Sequence, residues 1–317
     1  MIKAIAVLLI IIVIFFLGPK VDVDQTIRPV HLLENLDSFL AEQENRFDDI
    51  VEGTQKTIIW AEKPGTRTEY SLVYIHGFSA TRKETAPLSD QVAKKLGANL
   101  FYTRLTGHGR PGEALAAASV NDWLNDVVQS YEIGKRLGKK VIMIGSSTGG
   151  TALAWLAHKA GTDVGMESLA ACVFISPNFR PADPFAAILT WPWGKQLAEA
   201  LIGKNRSWEP DAPGHDTYWT NQYPTRALLP MMGLVRLVGG LDLTKIKMPC
   251  LVIASPKDAV IDYSAVEKAF ENISSRKKKL VPYTRSSDPS HHVLAGDILS
   301  PHTTGELAKM ITDFVLP

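Results

Sequence analysis

Apolar residues along this chain fall into short β-branched runs separated by glycine and proline, and into longer stretches where they recur every three or four positions. The short runs predict strands near 56–61, 71–75, 100–102, 141–144, 170–176, 248–255 and 278–283. Helical spacing predicts a helix over 87–96, where Leu88, Val92, Ala93 and Leu96 share a face and Gly97 is a natural stop. A second helix runs from about 121 to 137, with Asp122 and Asp126 read as charges at its start. The alanine-rich 151–157 reads as a buried helix. Leu32, Leu33, Leu36, Phe39, Leu40 and Phe47 predict an amphipathic helix within 31–50.

Residues 4–17 are unbroken apolar, behind a single Lys3. This is the pattern of a secretory n-region and h-region, but Phe16, Leu17, Gly18 and Pro19 make a poor cleavage site. An uncleaved membrane anchor is therefore expected, with a cleaved signal peptide as rival and an interfacial or buried helix as the remaining reading. Lys3 and the terminal amine favour the body outside the cytoplasm, a bias that Lys20 weakens. The domain plan is thus an anchor or signal over 1–19, a helical extension over 20–54, a core over 55–177 and 245–317, and an insertion over 178–244.

The strand near 141–144 runs directly into Gly145-Ser146-Ser147-Thr148-Gly149-Gly150 and then into the alanine-rich helix. That order matches G-x-S-x-G, in which the middle serine stands exposed on a tight strand-to-helix turn. Ser147 is the fitted nucleophile, because Ser146 would need glycines at 144 and 148. An acyl-transfer site also needs two N–H groups for the developing oxyanion, one after the nucleophile and one from the loop after an earlier strand. Thr148 and Phe78, in His76-Gly77-Phe78, are the candidates. His76 is expected to hold that loop through hydrogen bonds rather than act as a base, and His108, between two glycines, is expected to be structural.

Composition narrows the picture. Charge is nearly balanced at +1, and the one basic run is Arg276-Lys277-Lys278-Lys279, so no nucleic-acid partner is expected. Cys172 and Cys250 are the two cysteines, each opening an apolar run, which implies free buried thiols, no disulfide framework and no zinc site. Residues 178–244 differ in texture, with seven prolines among Trp191, Trp193, Trp208, Tyr218 and Trp219. The segment is too apolar for a linker and too interrupted for sheet.

His76-Gly77-Phe78 after a strand, the Arg104-Leu105-x-Gly107-His108-Gly109 loop and Gly145-x-Ser147-x-Gly149 together resemble the α/β-hydrolase superfamily, in particular its carboxylesterase and monoacylglycerol-lipase-like branch. The resemblance covers roughly 55–317. It implies a mostly parallel central sheet flanked by helices, with 178–244 as an inserted helical cap over an apolar acyl pocket. It also implies an acid and a base. Asp258 follows a strand end and matches the family's Asp-x-Val loop, while Asp262 is read as a helix cap. Spacing does not separate His291 from His292; the family's histidine precedes an aliphatic residue, as His292 precedes Val293, which selects His292. The chain order Ser147, Asp258, His292 is that of the superfamily. Ser146 stands where many relatives carry histidine or another bulky residue, and Thr148 where methionine or glutamine is frequent.

The expected function is a serine hydrolase that cleaves carboxylic esters of apolar acyl groups through an acyl-enzyme, with no metal or organic cofactor. Its partners would be a lipid-like ester and, through the N-terminal segment, a membrane. A thioesterase, amidase or peptidase on the same fold is the alternative, because fold and triad leave the leaving group open. An alternative of another class is a non-catalytic binding protein.

Overall fold

A computed structural model describes residues 2–163 and 165–316. In chain order the elements are α1 (Ile2–Phe16), α2 (Leu36–Glu44), β1 (Thr57–Ile59), β2 (Thr68–Ile75), α3 (Leu88–Leu96), β3 (Asn99–Tyr102), α4 (Gly112–Ala117), α5 (Val120–Leu137), β4 (Gly138–Ser146), α6 (Thr148–Ala160) and β5 (Leu169–Ile175). Then follow α7 (Gly194–Ile202), β6 (Asn205–Ser207), α8 (His215–Tyr218), β7 (Gln222–Pro224), α9 (Leu228–Gly239), β8 (Cys250–Ala254), α10 (Tyr263–Asn272), β9 (Lys278–Pro282) and α11 (Thr304–Val315).

Seven strands form one sheet in the order β1-β3-β2-β4-β5-β8-β9, parallel except for β1. Because side chains alternate along a strand, each central strand feeds two cores. Val73, Ile75, Val141, Met143 and Val252 face Trp123, Val127, Leu153 and Leu156 of α5 and α6. Leu72, Tyr74, Ile142, Ile144 and Ile253 face Leu88 and Val92 of α3 and Leu307 and Ile311 of α11. The strand ends carrying residues 76, 147, 176 and 255 onward therefore emerge at one edge of the sheet, where ligands of open α/β sheets collect.

Helix caps follow local chemistry. Ser119 and Asp122 form a capping box, so α5 starts at Val120, one residue earlier than the apolar spacing predicts. Asp262 accepts from the Ser264 N–H and caps α10. Asp126 is not a helix-start charge; it accepts the Thr106 N–H at 2.6 Å and stands 4.0 Å from the buried Lys56 ammonium. Helix α2 is much shorter than the amphipathic pattern predicts. The Asn35 side chain caps it at Ser38, and Phe47 lies beyond its end, stacked beneath the Arg104 and Arg110 guanidiniums. The chain between α1 and α2 is extended rather than helical and is strapped to the body, with Arg28 paired to Asp122 at 2.9 Å and Gln25 bonded to the Trp155 indole.

The segment between β5 and β8 holds α7, α8 and α9 and also a small antiparallel pair, β6 with β7, which the sequence pattern did not reveal. Helix α1 has 15 residues, so at 1.5 Å per residue it is about 22 Å long, short of a hydrocarbon core of about 30 Å. Among the described residues no helix is long and apolar enough to cross a membrane, so the spanning form of the expected anchor is not supported.

Candidate active site

Strand β4 ends at Ser146, and Ser147 turns the chain into α6 with φ 49° and ψ −117°, a conformation costly for a side-chain-bearing residue. The turn is possible because its neighbours lack side chains. A Cβ at Gly145 would lie 2.6 Å from the Gly149 carbonyl oxygen, and one at Gly149 would lie 2.3 Å from that of Ile75. The Ser147 N–H donates to Ile175 O and its carbonyl accepts from the Asn178 N–H, so the serine is held between β4 and the turn after β5. Ser147 is 6% exposed. Thr148 is the first residue of α6, where N–H groups have no preceding turn to pair with. The Phe78 N–H, in the turn after β2, likewise has no partner among the described residues.

The two residues at strand ends from the last third of the chain meet. His292 Nδ1 lies 2.8 Å from Asp258 Oδ2, and the other carboxylate oxygen accepts the N–H groups of Val260 and Ile261 at 2.8 and 3.0 Å. With Nδ1 donating, Nε2 of His292 is left as an acceptor. The Asp258 side chain is fully buried and that of His292 is 11% exposed. Burial pulls the imidazole pKa down, but the charge and hydrogen bond of Asp258, with the charges of Glu84 and Asp288, more than offset this and hold it above the ordinary histidine value. No direct Ser147 Oγ to His292 hydrogen bond is formed in this structure; such bonds tighten on substrate binding. His291 is held differently, with φ 53°, and its buried Nδ1 has no partner.

What aims His292 is a residue that sequence reasoning missed. Asp288, 2% exposed, accepts the N–H groups of His292 and Val293 on Oδ2 at 2.9 and 2.7 Å and bonds the Ser290 hydroxyl. The Ser176 hydroxyl donates to His292 O at 2.7 Å, so the loop is fixed from both sides. Only its three-residue spacing from His291 hints at Asp288, and that spacing has no rule attached.

His76 is fully engaged. Its Nδ1 lies 2.9 Å from Gly77 O and its Nε2 accepts the Leu105 N–H at 3.0 Å, a pair satisfied by one neutral tautomer. Burial depresses its pKa to about 4, against a small upward pull from Gly77 O. With its lone pair occupied by Leu105, it holds the loop and has no capacity left as a base. Burial likewise keeps His108 neutral; it stacks beside His76 and its carbonyl accepts from Arg104, which a buried ion pair fixes to Glu44 of α2 at 2.7 Å.

The inserted segment closes over these groups. Thr220 N donates to Ser79 O at 2.7 Å, the Tyr223 ring meets Phe78 edge-on at 5.5 Å, and Trp219 packs with Ala80 and Val293. The inserted segment thus meets the Phe78 and His292 loops through aromatic and aliphatic side chains. Among the described residues no group of three or more His, Cys, Asp or Glu side chains is arranged to hold a metal ion.

The hydrolase family described as serine aminopeptidase, S33, matches residues 66–287, from β2 to the loop before His292. The chain belongs to this family. A thermostable monoacylglycerol lipase of Bacillus sp. (strain H-257) is 28% identical over 232 residues, covering 73% of this chain and 85% of the lipase. Among solved structures, a metagenome-derived lipolytic enzyme superposes with a TM-score of 0.67 at 20% identity, covering 84% of this chain and 98% of its own. A soluble variant of monoglyceride lipase from Saccharomyces cerevisiae superposes with a TM-score of 0.56 at 16% identity, covering 94% of this chain and 98% of its own. These likenesses establish the shared α/β-hydrolase fold.

Proposed function

We propose that the protein is a membrane-attached serine ester hydrolase acting on carboxylic esters of apolar acyl groups, of the monoacylglycerol kind. Ser147 attacks the ester carbonyl, His292 takes its proton through Nε2, and Asp258 holds His292 in the donating tautomer and stabilises the imidazolium. The N–H groups of Phe78 and Thr148 receive the oxyanion. The proton then passes from His292 to the departing alcohol, and water repeats the sequence on the acyl-enzyme.

The observation that carries the ester reading is the apolar packing of the inserted segment on the two loops that flank the serine, Tyr223 on Phe78 and Trp219 on Ala80 and Val293. An aminopeptidase must bind a free ammonium, whereas Tyr223 and Trp219 of the inserted segment bring apolar rings against Phe78 and Val293. Turnover of p-nitrophenyl esters of graded chain length and of 1-monoacylglycerols, against aminoacyl p-nitroanilides, tests this. Faster cleavage of the anilides, abolished in Ser147→Ala, would replace esterase by aminopeptidase.

Attachment to a membrane is supported by α1, whose side chains from Val7 to Ile10 and from Ile12 to Ile14 are exposed although apolar. At its foot the Trp193 indole donates to Ile14 O and the Trp193 N–H to Pro19 O, which ties the helix to the inserted segment. That segment bears Phe185, Trp191, Leu201 and Ile202 on its surface, with Phe185 72% and Leu201 66% exposed. Exposed apolar side chains in this number fit a surface set against lipid. At about 22 Å the helix enters the hydrocarbon without filling it. The secretory-like order of Lys3 and then the apolar run 4–17 supports export of the body from the cytoplasm.

A further inference from the structure

Glu84 is 2% exposed, closes a short helical turn whose N-cap is Thr81, and belongs neither to the proposed triad nor to the oxyanion pair. Its Oε2 accepts the Gly77 N–H and the Tyr74 hydroxyl, both at 2.9 Å. Gly77 is the hinge of the oxyanion loop. The peptide plane before its Cα carries its own N–H; the plane after it carries its C=O together with the Phe78 N–H. His76 Nδ1 holds the second plane through Gly77 O at 2.9 Å, and Glu84 holds the first. A glycine between two planes otherwise turns freely.

Space shows how close this carboxyl stands to the chemistry. A Cβ at Gly77 would lie 2.6 Å from Glu84 Oε1 and 3.1 Å from Ser147 Cβ, so carboxyl and nucleophile share the bare side of one Cα. The same stretch braces the histidine loop: Ala86 O accepts the Asp297 N–H at 2.9 Å, and a Cβ at Gly296 would lie 2.6 Å from Glu84 O. An apolar residue of similar volume would fill this space without the cost of burying a carboxyl. Packing alone does not account for it.

We propose that Glu84 is a positioning residue for the oxyanion hole, its carboxyl clamping the Gly77 N–H so that the Phe78 N–H is set toward the oxyanion before substrate arrives. The proposal rests on the assignment of Ser147 and Phe78 made above. Oε2 accepts in either protonation state if a proton sits on Oε1, so the clamp holds across the working pH range. Glutamine can present its amide oxygen at the same place; leucine cannot.

The test compares wild type, Glu84→Gln and Glu84→Leu in two assays: labelling of Ser147 by a fluorophosphonate, and kcat and KM for p-nitrophenyl butyrate. Labelling needs the hole but no particular natural substrate, so it still reads the clamp if the protein turns out not to be an esterase. Glu84→Leu is expected to label roughly 10- to 100-fold more slowly, with kcat falling by a like factor and KM unchanged, a loss below that of deleting a donor outright. Glu84→Gln should stay within about threefold of wild type, a rescue by the conservative variant. Should the leucine variant not fold, Glu84→Asp, which withdraws the carboxyl by one methylene, carries the same expectation of about a tenfold slower labelling. Unchanged labelling in Glu84→Leu or Glu84→Asp, an effect confined to KM, or a glutamine variant as slow as leucine would each overturn the clamp.

Discussion

Two corners of this molecule treat polar and apolar groups in opposite ways. Around Ser147 and His292, apart from a few orphans such as His291 Nδ1, most buried polar groups are bonded, often twice. Asp258 accepts from two backbone N–H groups and a histidine, Asp288 from three backbone N–H groups and a hydroxyl, and His76 uses both ring nitrogens. At the other corner, α1 and the outer face of the inserted segment leave large apolar side chains in the open. The first corner is complete in itself, since its strain at Ser147 is held by its own neighbours. The second leaves apolar side chains uncovered, which the proposed membrane attachment would cover. On the proposed reading, chemistry and membrane attachment reside in different parts of the chain and should separate on mutation.

The largest separation comes from the nucleophile. Ser147→Ala should lower ester turnover by about four to six orders of magnitude and abolish fluorophosphonate labelling, while Ser146→Ala does far less. His292→Ala should fall as far as Ser147→Ala, because nucleophile and base act as a unit, and His291→Ala should not. All of these variants should sediment with membranes like wild type. A dead His291→Ala beside an active His292→Ala would break the reading of this corner.

Next in size is the acid. Asp258→Asn should cost roughly four orders of magnitude, as when a triad acid loses its charge. It also has a pH signature. His292 must be neutral to accept the serine proton, and its pKa is raised, so kcat/KM should fall as pH drops through a value above about 6.5. Removing the Asp258 charge should move that acid limb to lower pH. The same sign governs stability: a histidine whose folded pKa is raised contributes stability that is fully present below about pH 6.5 and lost as pH rises through the folded value. An acid limb unmoved in Asp258→Asn would detach the aspartate from the base.

The opposite corner is tested by removal. A chain beginning at Val21 should leave the membrane fraction yet keep kcat on soluble short-chain esters within about twofold of wild type, since every proposed catalytic group lies beyond it. Full-length protein should stay with membranes through high salt and alkaline carbonate, which strip electrostatic attachment only. Release of the full-length chain by carbonate would end the membrane reading. The smallest effect is expected from the inserted segment. In the chain beginning at Val21, Phe185→Ser with Leu201→Ser should weaken partitioning to phosphatidylcholine vesicles by about 5- to 10-fold, consistent with partial burial of two apolar side chains, and leave soluble-ester kinetics alone.

Much of the active corner is legible in the amino-acid sequence. Strand-like runs match β1 to β5, β8 and β9 to within a few residues, and for the central β3, β4, β5 and β8 the reason is that buried parallel strands are the most uniformly apolar stretches of such a chain. The elbow is legible because its glycines and serine are contiguous. The roles of Glu84 and Asp288 are not. A carboxyl several residues beyond a loop, or a few before a histidine, has no local mark that separates a buried clamp from a solvated charge. Apolar spacing overstates α2 because it carries on past Asn45, while Phe47 is taken up by two guanidiniums from another loop.

By itself the sequence determined what neighbouring residues settle among themselves: the period of each strand and helix, the caps at Asp262 and Gly97, the tight turn at Ser147 and the apolar N-terminal run. Spacing along the chain leaves His291 and His292 equal and only the resemblance selected His292; what turns it to face Asp258 is tertiary structure. Successive side chains in an irregular loop point in directions set by backbone angles, and here those angles depend on Asp288 and Ser176, residues that the fold brings against His292. Tertiary structure likewise decided that Gly77 is held on both sides of its Cα and that Trp193 of the inserted segment is tied to the foot of α1. Each of these is a meeting of segments far apart along the chain, and a periodic pattern of neighbours carries no record of such meetings.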